Sequence, residues 1–261
     1  MPKGGVARRA TVIQQVRSSS ANPVLLLDAG SALFGQTLAN DSEGRVIIEA
    51  MNALGYDAMT VGAMDIMRGL PALQARAKEA RFPLLSCNIV NPKDGKPVFA
   101  PYTVVQRGST RFGILGVSEP DVAQAANAAG TVQVLSPVEA VLRYLPELRA
   151  KSDIVILLSH LGLTFDKSIA GNLPGIDVIV GGQSRDLLQA PEVAGNTLIV
   201  QAGYDGEWLG RLDVTITAQG PLNPLVNIVA LGPEIADDSQ LAALVNSYRQ
   251  RYPTATMPAK Q

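Results

Sequence analysis

Short apolar runs alternate with segments of helical period along the first part of the chain. Continuous apolar runs, typical of strands buried on both faces, occur at 23–27, 58–62 and 82–87. Between them, residues 43–54 and 70–80 place their apolar side chains on one helical face, and Gly55 stands where glycine commonly ends a helix. The alternation predicts parallel strands connected by helices.

The pattern changes in the middle of the chain. Two strand-like segments, 102–107 and 111–117, flank the turn residues 108–110 and predict an antiparallel hairpin. Residues 136–139 combine an N-cap serine, a proline at the first helical position and a capping-box glutamate, which predicts a helix start. Pro146 predicts that this helix bends or breaks.

The last third of the chain is predicted to be rich in strands. Strands are predicted at 153–159, 177–180, 198–201 and 212–217, and a proline-containing loop at 221–224. A short helix from about residue 237 leads to a polar tail, 253–261, that we expect to be loosely held. We expect an α/β fold with one domain over residues 1–235 and a C-terminal helix and tail over 236–261.

Composition narrows the classes of function. With 47% hydrophobic and 17% charged residues, the 261-residue chain is globular and long enough for a sizeable core. A net charge of −1 argues against nucleic-acid binding through phosphate neutralisation. The single cysteine, Cys87, excludes an internal disulfide and is interpreted as a packing residue. The chain has one histidine, His160, so it cannot by itself form a site that needs several imidazoles.

Targeting signals are not evident in the sequence. Residues 1–5 lack the apolar core of a signal peptide, and no window has the roughly 18–20 apolar residues of a membrane span. Composition alone therefore leaves the compartment open.

Candidate chemistry lies in four loops that follow predicted strands. These loops are 28–31, 62–65, 160–162 and 181–185. Functional residues in open α/β sheets collect beyond the carboxyl ends of parallel strands, so we expect the four loops to meet. Glycine after a strand is also ordinary turn chemistry, and each loop alone is weak evidence.

These loops belong to a longer series of segments that carries a family resemblance. The segments 4–9, 27–30, 50–59, 82–88, 158–162 and 175–182 resemble the catalytic domain of the bacterial 5′-nucleotidase family of calcineurin-like metallophosphoesterases, whose relatives include thiosulfohydrolases of sulfur oxidation. The resemblance covers roughly residues 4–217. It implies a four-layer α/β/β/α sandwich with mixed sheets, a periplasmic or extracellular location, and two divalent metals that activate water for hydrolysis.

The resemblance places few metal ligands on this chain. The family's bridging aspartate corresponds to Ser31, and its Gly-Asn-His-Glu motif corresponds to Gly62-Ala63-Met64-Asp65. The family's Gly-His-x-His ligands correspond to Gln183 and Arg185, and only His160 matches a family ligand. We therefore expect no resident metal and no catalytic residues at these vestigial positions. Manganese or zinc is the alternative if another segment completes the site.

The family's Asp-x-His segment precedes the region that matches residues 4–9, and this sequence does not contain it. We expect the sheet to lack that first strand. Three explanations stay open: the sheet is rearranged, the chain is trimmed, or another chain donates the strand.

Several side chains near the four loops have ordinary structural interpretations. We expect His160 to be hydrogen-bonded, Asp65 to be a turn or cap residue, and Asp28 to orient its loop. Arg8 and Arg9 are expected on a solvated helix face.

Arg185 has two open interpretations. With Gly181 and Gly182, its guanidinium could bind a phosphate or sulfate. Alternatively, it forms an ion pair with Asp186, Asp28 or a similar neighbour.

The leading functional hypothesis is a catalytically inactive member of the family that acts as a protein-binding subunit or scaffold. A second hypothesis is a metal-dependent nucleotide hydrolase completed by a missing N-terminal segment or by a partner chain. A third is an anion-binding module that uses Arg185. None of the three includes nucleic-acid binding or a membrane span.

Overall fold

A computed structural model describes residues 3–125, 130–217 and 220–253 of the chain. The part of the predicted loose tail from residue 254 onward lies outside the described residues. The helices in the described ranges are α1 Val6–Ser19, α2 Thr37–Asp41, α3 Arg45–Leu54, α4 Leu70–Glu79, α5 Pro137–Lys151, α6 Leu163–Asn172 and α7 Ser239–Arg251. Two 3₁₀ helices, Ala63–Ile66 and Pro120–Gln124, follow strands.

The strands form parallel and antiparallel sheets, which confirms the predicted mixed α/β fold. They are β1 Leu27–Asp28, β2 Ala58–Thr60, β3 Leu84–Leu85, β4 Ile89–Val90, β5 Tyr102–Arg107, β6 Thr110–Ser118, β7 Gln133–Val134, β8 Ile154–His160, β9 Val178–Gly181, β10 Glu192–Ala194, β11 Thr197–Gln201, β12 Trp208–Thr217 and β13 Gly220–Ala230. One sheet has the order β10-β11-β9-β8-β6-β5, with parallel pairs in the middle and an antiparallel pair at each edge. The parallel sheet β1-β2-β3 and the antiparallel pairs β12-β13 and β4-β7 complete the set.

Three apolar clusters separate the layers. The first packs α1, α3 and α4 against the β1-β2-β3 sheet, and the second packs α5 and α6 against the six-stranded sheet. The third lies between the two sheets and includes Ala58, Ile114 and Leu158. This order of helices, sheet, sheet and helices is the expected four-layer sandwich.

Strand β8 fixes the position of the candidate site. All seven of its residues are buried, as expected for an apolar run with sheet neighbours on both sides. The parallel register pairs His160 with Ser118 of β6 and Ser159 with Gly181 of β9. The carboxyl ends of three neighbouring strands therefore meet at His160.

Of the predicted bend or break in α5, the break is wrong. Ser136 caps the helix by accepting from the amide of Glu139, as the sequence predicts, and the helix then continues through Pro146 to Lys151. Proline at position 146 removes the bond to the carbonyl of Leu142. Leu142 lies on the exposed face, where water can bond to that carbonyl, so the helix tolerates the loss.

The predicted loop at 221–224 is also wrong, because these residues lie in β13. Within the described residues, β13 pairs with β12 alone, so proline in it stands in an edge strand, where a missing amide hydrogen is tolerated. The register shifts between Asp213 and Thr215, where β13 has one residue more than β12, which marks a bulge in β13.

The C-terminal helix is packed onto the rest of the molecule. Leu241 belongs to the first apolar cluster, and the Tyr248 hydroxyl donates to Glu49 of α3 at 2.5 Å. The predicted division at residue 235 stays a prediction.

Candidate functional site

The four predicted loops meet at His160. Its Nε2 lies 2.9 Å from the Ser31 hydroxyl, and its Nδ1 lies 2.6 Å from the Ala29 carbonyl oxygen. Gly62 of the second loop and Gly182 of the fourth both lie against the imidazole ring. The expectation that strand-end loops converge is therefore correct.

Glycine is required where the backbone touches the imidazole. A Cβ on Gly62 would lie 2.7 Å from Nε2, and a Cβ on Gly182 would lie 2.8 Å from Nδ1. Gly30 has a φ of 95°, and its Cβ would lie 2.9 Å from the Gly62 amide nitrogen. These turns allow three loops to enclose one buried side chain.

The hydrogen bonds assign the tautomer of His160. A carbonyl oxygen can only accept, so Nδ1 carries the proton that is donated to Ala29. Nε2 is then an acceptor for the hydroxyl of Ser31. The Glu119 carboxylate lies 3.6 Å from the same Nε2.

Asp65 joins the loop after β1 to its own loop after β2 by accepting backbone amides. One carboxylate oxygen accepts from Ser31 at 2.7 Å and from Gly62 at 2.9 Å, and the other accepts from Leu33 at 3.0 Å. Burial, the largest cause, raises the pKa of Asp65 to about 6. The contacts are those of a turn residue, as we expect from the sequence.

Arg185 lies away from the buried centre. Its side chain is 67% exposed, 3.9 Å from the Asp205 carboxylate and 5.5 Å over the ring of Tyr204. The ion pair is therefore with Asp205 and not with Asp186 or Asp28. The amide of Gly182 donates to the Ser159 carbonyl, so it does not turn outward with Arg185 toward an anion.

Arg9 is not the solvated helix residue that the sequence predicts. Its guanidinium donates to the Tyr56 hydroxyl at 3.2 Å, and its charge also acts on Asp28. Burial raises the pKa of Asp28, which accepts the amide of Gly30 and so orients its own loop.

Asp166 and Cys87 are two further buried side chains whose pKa values are raised. Asp166 of α6, which sequence reasoning missed, accepts the Ser159 hydroxyl at 2.5 Å, and burial raises its pKa to about 7. Its place in the first turn of α6 is the only signal in the sequence. Cys87 is buried in the second apolar cluster, and burial raises the pKa of its thiol to about 12.

Comparison with known proteins identifies relatives over nearly the whole chain. No protein-family model matches the sequence. The snake venom 5′-nucleotidase of Gloydius brevicauda is 32% identical over 272 residues, covering 94% of this chain and 46% of the relative. The crystal structure of a 5′-nucleotidase precursor from Thermus thermophilus superposes with a TM-score of 0.90 at 34% identity, over 97% of this chain and 54% of that one. The chain is a homologue of the 5′-nucleotidases.

A more distant structure shows the same fold. The calcineurin-like phosphoesterase YfkN of Bacillus subtilis superposes with a TM-score of 0.85 at 23% identity and covers 98% of this chain and 92% of that one. This 5′-nucleotidase homologue spans about half the length of the curated relatives it matches. None of its described helices has the length and apolarity needed to cross a bilayer.

The donor set of this homologue does not fit two divalent metals. Across the described ranges, no group of three or more histidine, cysteine, aspartate or glutamate side chains could hold an ion. Asp65 is engaged by three backbone amides, and Glu119 accepts the amide of Ala63 at 2.8 Å. A catalytic zinc site needs about three protein ligands, and a two-metal site needs more.

A groove of about 2270 Å³ runs from this centre through the molecule. Its lining includes residues 23–30, which contain β1, and residues 208–216 of β12. Side chains of the six-stranded sheet, of α1 and of α7 also line it, and the apolar ones include Phe112, Ile156, Val180, Val200, Ile13, Val16 and Val245. Ser31, Met64 and His160 line its end at the site.

Proposed function

We propose that this 5′-nucleotidase homologue is inactive as a metal-dependent phosphoesterase and acts as a protein-binding subunit that accepts a β-strand from a partner. The observation that carries the proposal is a groove lined by two strands, β1 and β12, that each have an unpaired edge among the described residues. We also propose an extracellular or periplasmic location, which the venom relatives support.

The vestigial positions support the loss of metal-dependent hydrolysis. By the family resemblance, ligands would stand where this chain has Ser31, Ala63, Met64, Gln183 and Arg185. A thioether at Met64 is poorly matched to manganese or magnesium. His160 has both ring nitrogens in hydrogen bonds.

The strand edges support the binding role. In the described part of the chain, β1 pairs only with β2, and β12 pairs only with β13. Each strand therefore presents one unpaired row of backbone donors and acceptors, and both rows line the groove. An added strand would pair with these rows, the recognition mode known as β-augmentation.

The groove also defines the partner segment. Apolar side chains of the six-stranded sheet, of α1 and of α7 line the groove, together with polar ones such as Arg9 and Arg249. A strand within it would meet mainly apolar side chains and would read as a mostly apolar run. Strand β12 has ten residues, which sets an upper length of about 33 Å for the added strand. We propose a partner segment of up to ten residues rich in valine, isoleucine and leucine.

Hydrogen exchange with a synthetic peptide tests the binding role. A ten-residue Val/Ile peptide with lysines at both ends should slow amide exchange in β12 and in residues 23–28. Val214→Asp, which puts a charge into the groove, should abolish this protection, whereas Val193→Asp on the exposed strand β10 should retain it.

A proline-substituted peptide serves as the negative control, because proline cannot complete the backbone pairing. If the apolar peptide protects neither edge, or protects the Val214→Asp variant equally, the groove is not a strand acceptor.

Metal titration tests the loss of hydrolysis. Calorimetry of the purified protein with Mn²⁺ should show no two-equivalent binding, and AMP and p-nitrophenyl phosphate should not be hydrolysed in an EDTA-sensitive way. Two equivalents of bound manganese together with such hydrolysis would overturn the proposal.

A further inference from the structure

We infer that Ser31 and His160 form a metal-independent nucleophile and general-base pair that hydrolyses uncharged carboxylic esters. This activity goes beyond the proposed strand binding and rests on different observations. Failure of one proposal in its test would therefore not decide the other.

The hydrogen-bond pattern prepares His160 to act as a base toward Ser31. The Ala29 carbonyl fixes the proton on Nδ1, and the lone pair of Nε2 faces the Ser31 hydroxyl at 2.9 Å. The Met64 amide donates to the same hydroxyl oxygen at 3.3 Å, which holds it in place. A nucleophile within hydrogen-bond reach of a base that a third group orients is the arrangement of serine hydrolases.

The backbone at Ser31 is held in an unusual conformation. Ser31 has a φ of 59° and follows Gly30, whose φ is 95°, in a sharp turn just past β1. A non-glycine residue in this region costs about 1–3 kcal/mol and persists only where the surroundings impose it. Asp65 imposes it by accepting the amides of Ser31 and Leu33. A serine on a tight turn after a strand is presented outward, as in the nucleophile elbow.

The surrounding groups favour an uncharged substrate. The Glu119 carboxylate, 3.6 Å from Nε2, would stabilise the imidazolium that forms when Ser31 loses its proton. Asp28 and Asp65 also lie close enough to interact with the charge of His160. This concentration of carboxyl groups would repel an anionic phosphate ester more than a neutral acyl ester.

The site is accessible and has a candidate oxyanion donor. Ser31 is half-buried at the end of the groove, beside the 40%-exposed side chain of Met64, which offers an apolar surface to an acyl chain. Within the described residues, the amide of Ala32 donates to no protein acceptor. Ala32 follows the nucleophile, the position from which an amide commonly stabilises the oxyanion.

The reaction proceeds in two balanced steps. The Ser31 oxygen bonds to the ester carbonyl carbon as its proton moves to Nε2, and the carbon–alkoxy bond breaks as that proton passes to the departing alcohol. Water then attacks the acyl carbon and gives a proton to Nε2. The bond to Ser31 breaks, its oxygen regains the proton, and the carboxylic acid is released.

Covalent labelling with a fluorophosphonate tests the pair. Intact mass spectrometry of the full chain should show one adduct, located by peptide mapping on Ser31 and formed equally in EDTA. Ser31→Ala should form none, whereas Ser109→Ala, in the exposed turn of the β5–β6 hairpin, should label like the unmodified protein. His160→Gln should slow labelling by about 100-fold or more, the loss expected when a general base is removed.

Hydrolysis of p-nitrophenyl butyrate gives the second readout, and it should be lost in Ser31→Ala and kept in EDTA. The inference is wrong if Ser31 of the unmodified protein takes no adduct at a probe concentration that labels a known serine esterase. It is equally wrong if folded His160→Gln, checked by circular dichroism, is labelled at the unmodified rate. Even if a variant does not fold, the presence or absence of an adduct on Ser31 of the unmodified protein still tests the inference.

Discussion

Asp166 shows how burial, without any compensating cation, sets the behaviour of a single residue. Its side chain is fully buried, one oxygen accepts the Ser159 hydroxyl, and the other has no partner among the described residues. Burial raises its pKa from 3.8 to about 7, so the folded protein favours the protonated form. The charged form of Asp166 therefore destabilises the fold progressively as the pH rises between these two values.

Asp166→Asn should remove this pH-dependent destabilisation of the folded state. Because the folded pKa lies above the unfolded one, the stability of the variant relative to the unmodified protein should increase by on the order of 4 kcal/mol between about pH 4 and about pH 8. Urea unfolding at several pH values measures the difference. A stability difference that does not change with pH would show that folding does not raise the pKa of Asp166.

Gly30→Ala should destabilise the protein by about 3 kcal/mol. The new Cβ would lie 2.9 Å from the Gly62 nitrogen and 3.0 Å from the Thr60 carbonyl oxygen, and the backbone of residue 30 has a positive φ that alanine rarely adopts. Gly95→Ala is the matched control, since Gly95 also has a positive φ but open space around it, and it should cost about 1 kcal/mol. Equal losses in thermal or urea unfolding would mean that conformation, not the close approach to Gly62, determines the cost.

At the scale of elements, the sequence predicted the existence of strands and helices better than their extent. The hairpin of β5 and β6 and the helices α3 and α4 lie where the periodicity places them. The apolar run at 23–27 forms only the two-residue strand β1, at Leu27–Asp28. A strand is assigned only where a neighbour supplies hydrogen bonds, and apolar character alone cannot reveal which neighbours are present.

Pro146→Ala should lengthen the hydrogen-bond ladder of α5 and raise the free energy of unfolding by about 1–3 kcal/mol, since interior proline costs about 3 kcal/mol in a helix. Pro137→Ala provides the comparison, because proline at the first turn loses no helical bond, and it should change stability by less than about 1 kcal/mol. Destabilisation by Pro146→Ala would show that α5 needs the geometry that proline imposes.

At the scale of the whole molecule, α7 joins the N-terminal helix layer instead of standing apart. Its Asp238 cap accepts from Gln14 of α1, and Leu241 is 4% exposed within the first apolar cluster. Leu241→Ala should therefore lower the midpoint of a single cooperative transition and cost about 2–5 kcal/mol. Leu225→Ala, at a 65%-exposed position of β13, should cost less than about 0.5 kcal/mol.

A separate early transition in Leu241→Ala, with the main transition unchanged, would contradict unfolding of α7 together with the rest of the molecule. It would instead support the predicted boundary at residue 235. Calorimetry of the two variants distinguishes the outcomes.

The sequence by itself determined most strand and helix positions and the four loops that meet, because these follow from local periodicity and turn chemistry. The order of the layers was implied by the family resemblance. Only the tertiary structure decided that Ser31 lies 2.9 Å from His160, that Arg9 is half-buried and bonded to Tyr56, and that β1 and β12 line one groove. These contacts join residues far apart in the chain, and their geometry depends on how whole sheets and helices pack, which no local pattern encodes.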